Sequence, residues 1–312
     1  MNTNTQSQII QLDDLTTLHV TGSDASKFLH AQFTNDLANL PVNSWQYSGY
    51  CTPKGRLLAF MTIARVGDNE YLLILPADIG KSILPRLRMF VMRDDVTISP
   101  QQSQVSIAGI VSSAEALSAT GLVFENETGR LVNEDSSYLL TIDDEAGRYL
   151  YIGNIDSIKA LSLPTTHRGN WTVLDIQSGI PAILATTQEA FVPQMVNLDL
   201  IGAVNFKKGC YPGQEIVARV HYLGKIKQRM YVMTTSHKGV CNPGDKLYIT
   251  GQEDKAAGTV VQVADIDSGQ ILQVVLQTKA VTENAEIQLG TGDGIKLILA
   301  TQPYPVEDIV EK

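Results

Sequence analysis

Asn205-Phe206-Lys207-Lys208-Gly209-Cys210-Tyr211-Pro212-Gly213-Gln214-Glu215, followed by Ile216-Val217-Ala218-Arg219, is the stretch least like a generic globular sequence. Gly209 and Gly213 permit tight turns, and Pro212 suits the first position of a helix continuing through Gln214 and Glu215. That reading places Cys210 just before a helix N-terminus, beside Lys207 and Lys208. The helix dipole and the two ammonium groups both favour a thiolate, so Cys210 reads as an activated nucleophile. A structural turn around a small buried thiol is the competing reading. Residues 205–229 hold six cations, Lys207, Lys208, Arg219, Lys225, Lys227 and Arg229, against the one carboxylate of Glu215. This local +5 lies in a chain of net charge −9, which leaves −14 on the remainder. Such a basic island is a candidate anion site, with a solvated charged face as its alternative.

The 312 residues suffice for about two domains. A composition of 44% hydrophobic, 18% charged and 6% aromatic residues excludes disordered and fibrous classes. The acidic balance excludes a protein that coats nucleic acid by bulk charge. No apolar run approaches the roughly 20 residues that span a bilayer, so no membrane association is expected. The N-terminus has no basic residue before Lys27 and no apolar core of a signal peptide, and three cysteines leave an odd thiol. A cytoplasmic location is expected from these features. The histidines, His19, His30, His167, His221 and His237, share no metal-ligand spacing with each other or with cysteine, so no metal site is expected. Gly290-Thr291-Gly292-Asp293-Gly294 opens onto a strand and not a helix, so it is a turn and not a phosphate cradle.

Hydrophobic periodicity predicts an α+β chain with antiparallel sheets. Residues 15–20 read as a strand, and Ser23 or Asp24 is placed to cap a helix with apolar face Ala25, Phe28, Leu29 and Phe33. Runs at 57–64 and 71–75 form a hairpin across the turn at 66–69. Ile79, Ile83, Leu84, Leu87, Phe90 and Val91 mark a second helix, with Pro85 as a kink or a start. A strand at 105–111, a short helix at 114–119 and a hairpin of 138–142 with 149–152 follow. After Met230, short runs at 231–235, 246–249, 259–264, 271–276 and 295–299, with no helix among them, predict a small antiparallel barrel. The boundary is expected within 224–229.

Lys208-Gly209-Cys210-Tyr211-Pro212-Gly213-Gln214-Glu215 resembles the K-G-C-Y-x-G-Q-E signature of the YgfZ-type folate-binding proteins, relatives of the glycine-cleavage T-protein. Four further stretches resemble the family in the right order: Thr21-Gly22-Ser23-Asp24-Ala25 to Thr34-Asn35-Asp36-Leu37; Cys51-Thr52-Pro53-Lys54-Gly55-Arg56; Trp171 through Gly179-Ile180-Pro181; and Phe191-Val192-Pro193-Gln194 to Asn197-Leu198. The resemblance implies ferredoxin-like α+β subdomains around a central folate-binding hole, over residues 1–228. A C-terminal β-barrel at 229–302 and a tail at 303–312 complete the expected organisation. It further implies tetrahydrofolate or a one-carbon derivative as cofactor, with Trp171, Gln194 and Asn197 as contacts.

The function so implied is that of a tetrahydrofolate-binding accessory protein for iron–sulfur enzymes and tRNA modification. Cys210 would be its redox or sulfur-relay thiol. Lys207, Lys208, Gly209, Tyr211, Gly213, Gln214, Glu215 and Arg219 would form the signature and anion site. Folate, iron–sulfur enzymes of tRNA methylthiolation and, more weakly, tRNA itself are the implied partners. A folate-dependent one-carbon transferase is the alternative, and a pure RNA-binding module is a third reading. The transferases carry a carboxylate in the strand after the K-G turn, whereas residues 57–62 offer none, which speaks against aminomethyl transfer. Glu189 is too far along the chain to replace it. Leu15 stands where some relatives place a tryptophan, removing a second aromatic contact.

Overall fold

A computed structural model describes residues 7–134, 137–224 and 226–306, so Lys225 and the last six residues of the tail lie outside the described residues. The chain divides into two compact units. The first holds residues up to 31, with 36–48 and 61–171; the second holds 32–35, 49–60 and 172 onward. The unit boundaries fall inside two strands and two helices, and two short insertions (32–35 and 49–60) give N-terminal residues to the second unit.

The first unit contains a six-stranded sheet ordered β11(Thr165–Thr166), β1(Gln8–Gln11), β7(Val105–Val111), β10(Arg148–Asn154), β9(Ser137–Asp143), β8(Leu131–Glu134). The other sheet is five-stranded: β3(Ser44–Cys51), β4(Leu57–Gly67), β5(Glu70–Pro76), β2(Leu15–Thr21), β6(Thr97–Pro100). The expected hairpins are present, with β4 pairing β5 and β9 pairing β10 antiparallel, each with a register shift. Helix α1(Ala25–Gln32) buries Ala25, Phe28 and Leu29, the predicted stripe; Phe33 lies one residue beyond it. Helix α2(Ala77–Val91) begins eight residues before Pro85, so that proline is not its start. Pro85 has no N–H to offer the preceding turn, and the helix persists because Ile83 and Leu87 on either side are buried. Short helices α3(Ala114–Ser118) and α4(Ile155–Lys159) are capped by the side chains of Ser113 and Asn154.

The second unit is built on a closed barrel ordered β12(Gln228–Thr235), β15(Gly269–Gln277), β14(Gly258–Ile266), β13(Lys246–Ile249), β16(Ile287–Leu289), β17(Ile295–Leu299). All five predicted runs are strands of it. The strand β16 and the short helix α7(Thr278–Thr282) were not expected, and α7 corrects the reading of this region as helix-free. Three residues of strand and one turn of helix are too short to show a period. On β15, Leu272, Val274 and Leu276 point into the barrel core. Ile271, on its other face, packs with Val232 and Ala264 against Val173 and Ile176 of α5(Arg168–Gln177). Burial on both faces explains why this strand reads as a near-continuous apolar run.

One buried ion pair ties the barrel to the loop before it. Arg229, 1% exposed on β12, donates Nη1 to Asp199 Oδ1 at 2.7 Å and Nη2 to Asp199 Oδ2 at 3.0 Å. Its Nη1 also donates to the Gln194 carbonyl at 3.0 Å. Removing one partner of such a pair strands a buried charge, at a cost of about 3–5 kcal/mol. Arg229→Ala is therefore expected to lose about that much stability in urea unfolding, and Arg229→Leu with Asp199→Leu to regain most of it. A loss below about 1 kcal/mol for the single variant would show the pair to be solvated.

Candidate functional site

Three stretches that lie far apart in sequence interlock within the second unit. The turn 51–56 closes by Gly55 N–H donating to the Thr52 carbonyl at 2.9 Å and Arg56 N–H donating to Thr52 Oγ1 at 3.2 Å. Gly213 sits beneath it at φ +83°, where a Cβ would lie 2.5 Å from the Thr52 carbonyl oxygen and 2.6 Å from Gly55 Cα. Gly55, at φ +70°, would carry its Cβ 2.9 Å from Ile216 Cβ. Each glycine thus lets the other turn approach at backbone distance. The third stretch is Thr34-Asn35. Thr34 Oγ1 donates to the Ala203 carbonyl at 2.7 Å, Asn35 Nδ2 donates to the Gly202 carbonyl at 2.8 Å, and Asn205 N–H donates to the Thr34 carbonyl at 3.0 Å.

Lys208 closes the cluster from inside. It is 9% exposed; Nζ donates to the Phe33 carbonyl at 2.6 Å and stands 5.1 Å from the centre of the Tyr211 ring. Arg229 is likewise internal, as the ion pair with Asp199 shows. Of the six cations read as an anion site, those two are spent on the fold and Lys225 lies outside the described residues. Lys207, Arg219 and Lys227 are exposed. Lys208, read from the sequence as one of two ammonium groups beside Cys210, directs its Nζ to the Phe33 carbonyl and the Tyr211 ring. Helix α6(Gln214–Leu223) has Gly213 as its N-cap, so Pro212 precedes the helix and is not its first residue. The left-handed cap is the reason, because the chain turns at Gly213 before helical bonding begins. Cys210 therefore lies four residues before the first helical residue.

The three cysteines are free and differ sharply in environment. Cys210 is exposed, whereas Cys51 and Cys241 are buried. Burial pushes the Cys51 thiol up to about 12. Burial, with the nearby Asp245 charge second, pushes Cys241 up to about 11. Tyr211, between the turn and the helix, is also raised, by burial first and by Cys51 second. Gln214 and Glu215 open α6; Gln214 Nε2 donates to the Lys208 carbonyl at 3.4 Å, and Glu215 is exposed in the first turn.

Gln194 and Asn197 belong to the second unit and Trp171 to the first. Gln194 is fully buried in the 3-10 turn Pro193–Val196; its Nε2 donates to the Val217 carbonyl at 2.7 Å, while Oε1 has no hydrogen-bond partner. Asn197 exchanges both amide groups with the Met230 backbone, and its Nδ2 also donates to the Tyr304 hydroxyl at 3.4 Å. Trp171, 4% exposed, packs on Gly109 with the Arg148 guanidinium 4.4 Å from its ring centre. Sequence reasoning missed Arg148, a cation 1% exposed at the start of β10, where it pairs with Asp143 of β9 and Val111 of β7. It also missed that Glu189 lies beside the strand after the K-G turn: its N–H donates to the Leu57 carbonyl at 2.8 Å, although its side chain is exposed. Among the described residues no group of histidine, cysteine or carboxylate side chains is arranged to hold a metal ion, and no helix is long and apolar enough to cross a membrane.

Antiparallel α+β sheets with a closed barrel and glycine-interlocked turns define an aminomethyltransferase-type fold. Glycine cleavage system aminomethyltransferase T from Bartonella henselae shares it with a TM-score of 0.78, over 96% of this chain and 86% of that one, at 13% identity. Residues 1–121 match the family model of the GCVT N-terminal domain. A relative in Blochmanniella pennsylvanica (strain BPEN), tRNA-modifying protein YgfZ, is 29% identical over 296 residues, 90% of this chain and 89% of its own. The tRNA-modifying protein YgfZ of Escherichia coli O157:H7 (strain EC4115 / EHEC) is 27% identical over 312 residues, covering 96% and 94%. The chain is thus similar over most of its length to proteins named tRNA-modifying protein YgfZ, and over its first 121 residues to the GCVT N-terminal domain.

Two outcomes are expected from the thiol environments. A disulfide reagent should titrate one thiol in the native protein and three after denaturation, and Cys210→Ser should remove the native reaction; two fast native thiols would contradict the burial of Cys51 or Cys241. The folded chain also holds Cys51, Cys241 and Tyr304 protonated beyond their ordinary range, Tyr304 up to about 12. The unfolded thiols ionise near 9.0, so stability is full below that pH and falls as pH rises through 11 and 12. Thermal unfolding between pH 8 and 11 should show this decline, and Cys51→Ser should flatten it. A melting temperature rising with pH in that window would reverse the assignment.

Proposed function

We propose that this chain is a reduced-folate-binding accessory protein in tRNA modification, supporting iron–sulfur enzymes such as those that methylthiolate tRNA. The single observation that carries the reading is the contrast among the thiols: one exposed cysteine, Cys210, on a loop that two distant stretches of the chain, 33–35 and 51–56, hold in place. The relatives' shared name, tRNA-modifying protein, supports the field of action.

A bound pterin needs buried polar partners as well as an apolar face. Gln194 Oε1 is a buried acceptor without a donor, and such a group costs about 1–3 kcal/mol until one arrives. A pterin ring carries N–H donors that satisfy that demand, so the residue fits the cofactor. Asn197 acts by holding β12 and the Tyr304 hydroxyl, since its amide is committed to them. Trp171 and Arg148 form a buried aromatic–cation pair in the first unit, whose part is to keep that sheet face rigid for whatever packs beside it. When bound, a one-carbon derivative of tetrahydrofolate would supply a one-carbon unit carried on N5 or N10. β4 carries no carboxylate along Leu57–Gly67, which leaves transfer of that unit without a general acid–base partner.

The thiol's part is sulfur relay. The Cys210 thiolate attacks the terminal sulfur of a persulfide donor, forming Cys210–S–SH and releasing the donor as its thiolate. No external oxidant is consumed, because the sulfane sulfur carries its oxidation state with it. Lys207 is the exposed ammonium closest in sequence to this exchange.

Titration of tetrahydrofolate followed by tryptophan fluorescence is expected to show saturable binding. Gln194→Leu should weaken it about 10-fold, in line with the loss of one buried hydrogen bond. Cys210→Ser should keep folate binding and melting temperature while losing the ability to restore tRNA methylthiolation in cells lacking a YgfZ relative. Absence of folate binding in the wild-type chain would remove the cofactor; full complementation by Cys210→Ser would remove the thiol.

A further inference from the structure

The C-terminal end of α6 turns large rings outward. Phe206 and His221 stack face to face, centroids 3.7 Å apart with planes 10° from parallel. Tyr222 stands edge-on to both, 4.7 Å from His221 and 6.3 Å from Phe206. Tyr222 is 61% exposed and the next residue, Leu223, is 84% exposed. The helix does not need them for its own packing, since Val217 is its buried anchor. Exposed aromatic surface of this kind marks a place where something docks.

Charge identifies the visitor. Lys207 adjoins Phe206 in the chain, Arg219 lies one helical turn before Tyr222 and Leu223, and Lys227 follows four residues after Leu223; all three are exposed. Glu215 is the one carboxylate between residues 205 and 229. The remainder of the chain is strongly acidic, so a polyanion is repelled elsewhere and attracted here. A protein interface would instead deplete lysine around its aromatic core.

We propose that this surface binds unpaired RNA bases. Tyr222 and the Phe206–His221 stack are the platform, and Lys207, Arg219 and Lys227 meet the flanking phosphates. Every base presents a flat π face, and a duplex hides those faces, so rings beside cations select single-stranded segments and loops. The proposal rests on the reading of this chain as acting in tRNA modification, and adds which face meets the RNA and which part of the RNA it holds. Arg229 takes no part, being buried with Asp199.

The test is fluorescence anisotropy of the full chain with a labelled single-stranded oligoribonucleotide and a duplex of equal length, at two salt concentrations. The single strand is expected to bind more tightly than the duplex. Tyr222→Ala should weaken it about 5- to 100-fold with no change in melting temperature, and Tyr222→Phe should retain it. Lys207→Ala and Lys227→Ala should each lower the salt slope by about 0.7. Equal affinity of wild-type and Tyr222→Ala chains for the single strand, or equal binding of duplex and single strand, overturns the proposal. Loss of binding to a purified iron–sulfur tRNA-modifying enzyme by Tyr222→Ala, with RNA affinity intact, also overturns it and makes the surface a protein interface. Folate titration of Tyr222→Ala separates these outcomes from failure of the accessory reading, because the exposed Tyr222 ring is not among the groups assigned to folate and its loss should leave folate affinity unchanged.

Discussion

Gly213 meets the Thr52 carbonyl and Gly55 at a distance no side chain allows, and the local architecture of the second unit follows from that approach. Because the turn at 51–56 lies against the turn at 210–213, α6 must begin at Gln214, and Cys210 must stand outside the helix on the exposed loop. Lys208 then has one direction left, inward to the Phe33 carbonyl, and Thr34 and Asn35 complete the restraint on residues 202–205. The loop gains its rigidity from backbone contacts and one buried ammonium, which leaves its thiol as the group free to react.

The same economy governs charge. A cluster of cations in the sequence separates in the structure into internal ties and exposed groups: Lys208 and Arg229 serve the fold, while Lys207, Arg219 and Lys227 face outward. The thiols separate likewise, with Cys51 and Cys241 held neutral by burial and Cys210 exposed. Function, on the proposed reading, is what these separations leave at the surface.

Long amphipathic patterns made much of the fold legible in the sequence. The β4–β5 and β9–β10 hairpins, the stripe of α1 and five barrel strands all carry enough residues to display a period. β16, α7, β1 and β11 do not, because a few residues whose burial depends on tertiary neighbours carry no period of their own. The site was legible as a list of stretches and not as an arrangement. No spacing rule says that Gly55 packs on Gly213, that Lys208 turns inward, or that Glu189 donates to the Leu57 carbonyl. Those facts come from chain reversal over more than a hundred residues. Composition could count six cations near Cys210; only packing could remove two of them.

The two glycine turns form one interlocked unit, and a double-mutant cycle measures the coupling between them. Gly55→Ala and Gly213→Ala, singly and together, would be measured by urea unfolding. Each single substitution breaks the same close approach, so the double variant should lose little more than the worse single one, with a coupling of about 1 kcal/mol or more. Strict additivity of the two losses would show that the turns are strained independently and would contradict the interlock.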